Sequence, residues 1–164
     1  LTAGVEQGPL IDENAVRKVE SHVADAVARG AVLLTGGKRH ALGRTFFEPT
    51  VITGALPSML LAREETFGPV APLFRFKTEA EAIALANASA YGLQASVWSD
   101  NINRAHRVAR ALRAGTVHVN QYDEDDMTVP FGGYKQSGNG RDKSLHALDK
   151  YTELKTTWLR IDPA

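Results

Sequence analysis

Leu93-Gln94-Ala95-Ser96-Val97-Trp98, then Asn101 to Leu112, then Gly115-Thr116-Val117-His118-Val119-Asn120, is the stretch that decides the fold. Leu93 to Trp98 is short and mostly apolar, is closed by Ser99-Asp100, and reads as a strand. Ile102, Ala105, Val108, Ala109 and Leu112 recur at helical spacing, and Gly115 follows as a stop. Thr116 to Asn120 reads as the next strand. A strand, a helix and a strand over this length imply a crossover that lays the two strands side by side in parallel. The predicted class is therefore α/β, with a largely parallel sheet covered on both faces. Ligands of such sheets collect at the loops leaving the carboxyl ends of strands, here the segments after Trp98 and Asn120.

The upstream chain fits the same plan. Asp12 precedes a helical pattern with Val16, Val19, Val23, Ala26 and Val27 on one face, and Gly30 ends it. Ala31-Val32-Leu33-Leu34 reads as a buried strand that stops at Thr35-Gly36-Gly37. Phe46 to Ile52 reads as another, with Pro49 pushing it toward an edge or a bulge. Val70, Leu73, Phe74 and Phe76 suggest a strand in which Pro72 is again an edge signal. Thr78-Glu79-Ala80-Glu81 is a capping box for an alanine-rich helix reaching about Ala88. Far downstream, Tyr151 to Ile161 alternates like a terminal strand, and an exposed strand of that length is an aggregation liability unless another sheet receives it.

Composition narrows the function classes. The 164 residues fit one compact domain, and Lys plus Arg balances Asp plus Glu at 19 each, so no global field favours a polyanion. With no basic stripe, nucleic acid is not an expected partner. There is no cysteine, which removes disulfides, thiolate metal sites and cysteine nucleophiles from these residues. No apolar run nears the roughly 18 residues that span a bilayer, so no membrane partner is expected and a cytoplasmic location is the default. Leu1-Thr2-Ala3-Gly4 has neither an initiating Met nor a signal-peptide pattern, which suggests a start inside a longer chain.

Several motifs fail on inspection. Gly133 and Gly138 have phosphate-loop spacing, but Asn139 and Gly140 stand where Lys and Ser or Thr are needed. The acidic run Asp123-Glu124-Asp125-Asp126 lacks the glycine and terminal glutamate of a calcium loop. It reads as a solvated loop or as a cleft mouth that attracts cations. His22, His40, His106, His118 and His146 show no paired ligand spacing and read as surface or packing residues. Ser137 lacks the strand-turn-helix setting of a hydrolase nucleophile. The informative turn is Glu64-Glu65-Thr66-Phe67-Gly68-Pro69-Val70. Two adjacent acids are usually solvated, yet at a turn one can face a basic partner while the other accepts hydrogen bonds from a ligand's hydroxyls.

Taken in order, Gln7-Gly8-Pro9-Leu10-Ile11-Asp12, Gly36-Gly37, Phe47-Glu48-Pro49-Thr50-Val51, Glu64 to Val70, Ala86-Asn87 with Tyr91-Gly92-Leu93, Ala114-Gly115-Thr116-Val117 and Pro130 to Gly138 resemble the C-terminal third of an NAD(P)-dependent aldehyde dehydrogenase. The resemblance implies the parallel-sheet portion of that family's catalytic domain over 1–150 and an oligomerisation strand with tail over 151–164. It implies that Glu65 accepts hydrogen bonds from the nicotinamide ribose, that Phe67 packs beside it, and that Leu93 lines the nicotinamide end of the cleft. Asp125 and Phe131 match the substrate tunnel, the former an acid where relatives often carry an aromatic. Residues 24–76 resemble the succinate-semialdehyde branch. Residues 119–155 resemble the branch acting on γ-glutamylaminobutyraldehyde or guanidinobutyraldehyde, whose cations the acidic run would suit.

In that family a cysteine thiolate attacks the aldehyde, hydride passes to the nicotinamide, and a glutamate-activated water releases the acid. The resemblance places the cysteine, the glutamate and the dinucleotide-binding domain upstream of Leu1. It therefore implies no catalytic residue here, an enzyme using NAD or NADP on a small aldehyde, no nucleotide held by these residues alone, and a homo-oligomer joined through the terminal strand. The alternative is a non-catalytic module that joins another subunit by the same strand.

Overall fold

The computed structural model describes residues 3–122 and 126–162, which form two compact units dividing at Leu85 and Ala86. In the first unit, helix α1 (Glu13–Ala28) starts where expected, with the Asp12 carboxylate accepting from the Ala15 amide at 2.8 Å. Val16, Val19, Val23 and Ala26 are buried along it, joined by His22, whereas Val27 is 46% exposed and lies off that face. Gly30, at φ 92°, turns the chain out of the helix.

Three strands follow α1: β1 (Val32–Thr35), β2 (Thr50–Thr53) and, after the four-residue helix α2 (Leu60–Arg63), β3 (Val70–Leu73). The order is β1-β2-β3, antiparallel then parallel. Ile52 and Met59 are fully buried, with Leu61 nearly so, and they face the valines of α1. Two strand expectations are corrected here. β1 is an exposed edge rather than a buried strand, since among the described residues no layer covers Val32, Leu33 and Leu34. β2 begins at Thr50 and is central, so Pro49 precedes the ladder instead of marking an edge, and Phe47 serves the core from outside it. Pro72 does sit on an edge strand, β3.

Helix α3 (Glu79–Asn87) opens on the capping box: the Glu81 amide donates to Thr78 Oγ1 at 3.1 Å, and the Glu81 carboxylate accepts from the Lys77 amide at 2.7 Å. In the second unit β4 (Tyr91–Gly92) leads to β5 (Gln94–Val97), helix α4 (Ile102–Ala111) and β6 (Thr116–Val119), and β7 (Tyr134–Lys135) returns to β4. β5 and β6 are parallel from Gln94↔Thr116 to Val97↔Val119, as the opening stretch predicts. Asn101 caps α4 through the Arg104 amide, and Ala105 is its buried contact. A Cβ on Gly115 would overlap the Gly132 carbonyl, lying 2.8 Å from its carbon, so only glycine fits there.

The α/β class holds, but the described strands form three small sheets of mixed direction, not one largely parallel sheet. The two parallel pairs are those joined through helices, and the two antiparallel pairs supply the rest. Leu145–Tyr151 is a 3-10 helix, and the expected strand from Tyr151 to Ile161 is absent among the described residues. Its alternation remains, but no described strand pairs with it, and Leu154, Trp158 and Ile161 are exposed. No described helix is long and apolar enough to cross a membrane.

Candidate functional site

The turn between α2 and β3 is where candidate residues gather in the first unit. α2 ends as the Glu64 amide donates to the Leu60 carbonyl at 2.9 Å, and the chain turns beneath α1. Three residues of α1 spaced four and three apart, Lys18, His22 and Asp25, lie along one stripe; the first two meet the turn and the third meets the start of α2. The Lys18 ammonium donates to the Glu65 carbonyl. The imidazole of His22, 1% exposed, reaches Thr66 Oγ1 through Nδ1 at 3.1 Å and Glu64 Oε2 through Nε2 at 3.3 Å. A carboxylate only accepts, so Nε2 carries the proton facing Glu64, and in the neutral ring Nδ1 accepts from the Thr66 hydroxyl. Asp25 accepts from the Leu60 amide at 2.8 Å and from Arg29 at 2.6 Å. Those two contacts, the Leu60 amide foremost, hold its carboxyl below the usual aspartate range.

Glu65 and Phe67 therefore share one seated turn. Among the described residues nothing bonds the Glu65 carboxylate, which is exposed between two pinned neighbours. Phe67 adopts φ 48°, a left-handed conformation costly for an aromatic, and its ring is 76% exposed. Gly68 then passes so close to α1 that a Cβ would overlap Val19 Cγ2. An exposed ring held in strained backbone beside an unpaired acid suits a ligand better than it suits the fold. Together they could offer an acceptor to a ligand's hydroxyls and a flat apolar face beside it.

The second unit holds two more candidates. Leu93 is 42% exposed between β4 and β5. Phe131 is half-buried and exchanges backbone hydrogen bonds with Asp142 at 2.9 and 2.7 Å, with the Lys143 ammonium 5.5 Å from its ring centroid. Asp125, with Asp123 and Glu124, lies outside the described residues. The last acid of that run, Asp126, is occupied locally: Oδ1 accepts from the Thr128 amide and hydroxyl at 2.7 and 2.8 Å, and the backbone bond first of all lowers its pKa. Among the described residues no group of three or more His, Asp or Glu is placed to hold a metal.

Lys18 and His22 were not legible as site residues in the sequence. The signal available was a polar stripe at four- and three-residue spacing beside the apolar face of α1, but nothing local says which loop that stripe meets.

The chain is similar to known proteins over nearly its whole length. The profile of the Aldehyde dehydrogenase family matches residues 1–157. The chain is 54% identical over 153 residues to the 3-sulfolactaldehyde dehydrogenase of Pseudomonas putida, covering 93% of this chain and 32% of that protein. The crystal structure of succinate-semialdehyde dehydrogenase from Burkholderia pseudomallei superposes with a TM-score of 0.88 at 56% identity, over 92% of this chain and 31% of that one. An indole-3-acetaldehyde dehydrogenase solved with NAD+ gives 0.89 at 52% identity, over 96% and 32%. The chain thus spans about a third of the length of the relatives it matches. By the family profile over nearly its whole length, and by these structural likenesses, the chain belongs to the aldehyde dehydrogenase family.

Proposed function

We propose that these residues are the part of an NAD(P)-dependent aldehyde dehydrogenase that grips the nicotinamide ribose and lines the aldehyde end of the cleft, and that alone they turn over no substrate. The observation that carries the reading is the Glu65 carboxylate, left unbonded among the described residues on a turn whose adjacent residues are both held by α1. Glu65 accepts hydrogen bonds from the ribose hydroxyls, and Phe67 and Leu93 flank the nicotinamide. The cofactor supplies the hydride acceptor. The chain has no cysteine to attack an aldehyde, so its contribution is orientation rather than reaction.

Hydrogen bonds to a charged acceptor contribute about 1.5–3 kcal/mol, so Glu65→Gln in the intact gene product raises the nucleotide dissociation constant roughly 10- to 100-fold. An unchanged constant refutes the assignment. Aldehyde-dependent NADH formation by the purified 164-residue chain refutes its inactivity alone.

The aldehyde is a charged one, a semialdehyde or an aminoaldehyde. Two relatives named for 3-sulfolactaldehyde and succinate semialdehyde support an anion, while the acids 123–126 support a cation. If Asp125 reads a cation, Asp125→Asn raises the KM for an aminoaldehyde more than for hexanal, and equal effects remove that choice.

The chain's second role is assembly. Residues 151–161 add as a strand to another subunit's sheet, a reading supported by the exposed Leu154 and Trp158, which share one face at strand spacing. A monomer by light scattering counts against it.

A further inference from the structure

Resting on the reading of Glu65 as the ribose acid, we infer that His22 is a positioning residue, which sets the direction of that carboxylate by holding the residues on either side of it. A helix core position beside Val19 and Val23 ordinarily takes an aliphatic side chain, and an imidazole buried there must find partners for both nitrogens. Neither nitrogen is used within α1. Nδ1 goes to Thr66 at 3.1 Å and Nε2 to Glu64 at 3.3 Å, 44 and 42 residues along the chain. The ring is flat and rigid, and its two nitrogens reach the residues immediately before and after Glu65. Lys18, one turn earlier on the same face, holds the Glu65 carbonyl itself. Three consecutive residues are fixed from one helix face, and only the Glu65 carboxylate remains to meet a ligand.

The bond to Glu64 is the weaker half, because the Glu64 side chain is 54% exposed and water competes for it. Thr66, half-buried, supplies the stronger one. Once the ring is removed, the turn keeps its backbone bond from the Glu64 amide to Leu60 but loses its link at Thr66. Glu65 then samples directions that do not face the ribose.

The test is amide hydrogen exchange of the intact gene product, with and without NAD+, in wild type, Glu65→Gln, His22→Leu, His22→Gln and Thr66→Val. Thr66→Val deletes the same bond from the exposed side, so the inference stays testable if His22→Leu fails to fold. The expected result is exchange at residues 65–67 about five- to tenfold faster in Thr66→Val and His22→Leu, with the α1 amides slowed or quickened no more than twofold in Thr66→Val. The NAD+ dissociation constant rises with it about three- to tenfold. His22→Gln, which retains an amide able to reach Glu64, falls between. Wild-type exchange and wild-type affinity in both Thr66→Val and His22→Leu overturn the positioning role while leaving the Glu65 reading intact. If NAD+ does not slow exchange at 64–68 and Glu65→Gln binds it normally, the Glu65 reading fails and the inference falls with it.

Discussion

Gly68 and Val19 form a contact whose energy can be isolated. A Cβ on Gly68 would overlap Val19 Cγ2, with Val19 Cβ and Cγ1 at 3.6 and 3.7 Å, and Val19 is fully buried. Valine on a helix has one strongly preferred rotamer, so Cγ2 cannot swing away, and either α1 or the turn must shift. Gly68 has no left-handed φ, hence contact is the whole cost. Overpacking of this kind costs about 1–3 kcal/mol, so Gly68→Ala should lower the unfolding free energy by about 2 kcal/mol. Val19→Ala removes two buried methyl groups at about 0.8 kcal/mol each and leaves a small cavity, again about 2 kcal/mol. In the double variant the new methyl enters the space the old ones left. The loss should be about 2 to 3 kcal/mol instead of the additive 4, a coupling of about 1–2 kcal/mol. Urea unfolding followed by far-ultraviolet circular dichroism reads this, because α1 is the longest helix and both tryptophans are in the other unit. Additivity within about 0.5 kcal/mol would show that the turn does not rest on α1 as described.

In the second unit, Gly115→Ala sets a methyl against the Gly132 backbone and should cost at least about 3 kcal/mol, seen as lost exchange protection at the β5 and β6 amides. Phe67→Gly should relieve about 1 kcal/mol of left-handed strain and raise the melting temperature, while weakening NAD+ binding in the intact gene product. Asp25 gives a pH signature. Its folded carboxyl titrates below the usual aspartate range, so the unfolded chain binds the proton more readily and stability rises with pH through that interval. The contribution is complete above about pH 4 and lost as pH falls through the folded value, and Asp25→Asn should remove that portion of the acid unfolding curve.

What could be read from the sequence was what local chemistry decides. The Asp12 cap, the Val16-Val19-Val23-Ala26 face, the Thr78 capping box and the α4 crossover are settled within a few residues of themselves, and each is found. The misses are all questions of what lies opposite. Ala31 to Leu34 reads the same whether or not a layer covers it, and β1 turns out to be bare. Tyr151 to Ile161 has the period of a strand that another subunit's sheet would have to receive, and no described strand of this chain supplies that edge. Glu65 and Phe67 were named through a resemblance of motifs, and no periodicity could have singled them out. His22 reads as a packing or surface residue and is indeed buried, but its partners, more than 40 residues away, are beyond what the sequence shows.

That distance bears on how the turn can be strained and still be well defined. A left-handed phenylalanine costs about 1–2 kcal/mol and, left to itself, would relax to an extended conformation. On one side Thr66 is tied to His22, and on the other Gly68 is pressed against Val19 and followed directly by Pro69 and β3. The φ of Phe67 lies between two anchors on a single rigid helix, so relaxing it would mean breaking a buried hydrogen bond or unseating a core contact. Each of those costs about as much as the strain itself. The same anchors keep Glu65 pointed outward, so substitutions that loosen α1 should disturb the turn before they unfold the unit. A helix with one imidazole buried among its valines thereby sets the geometry of a turn more than 40 residues away.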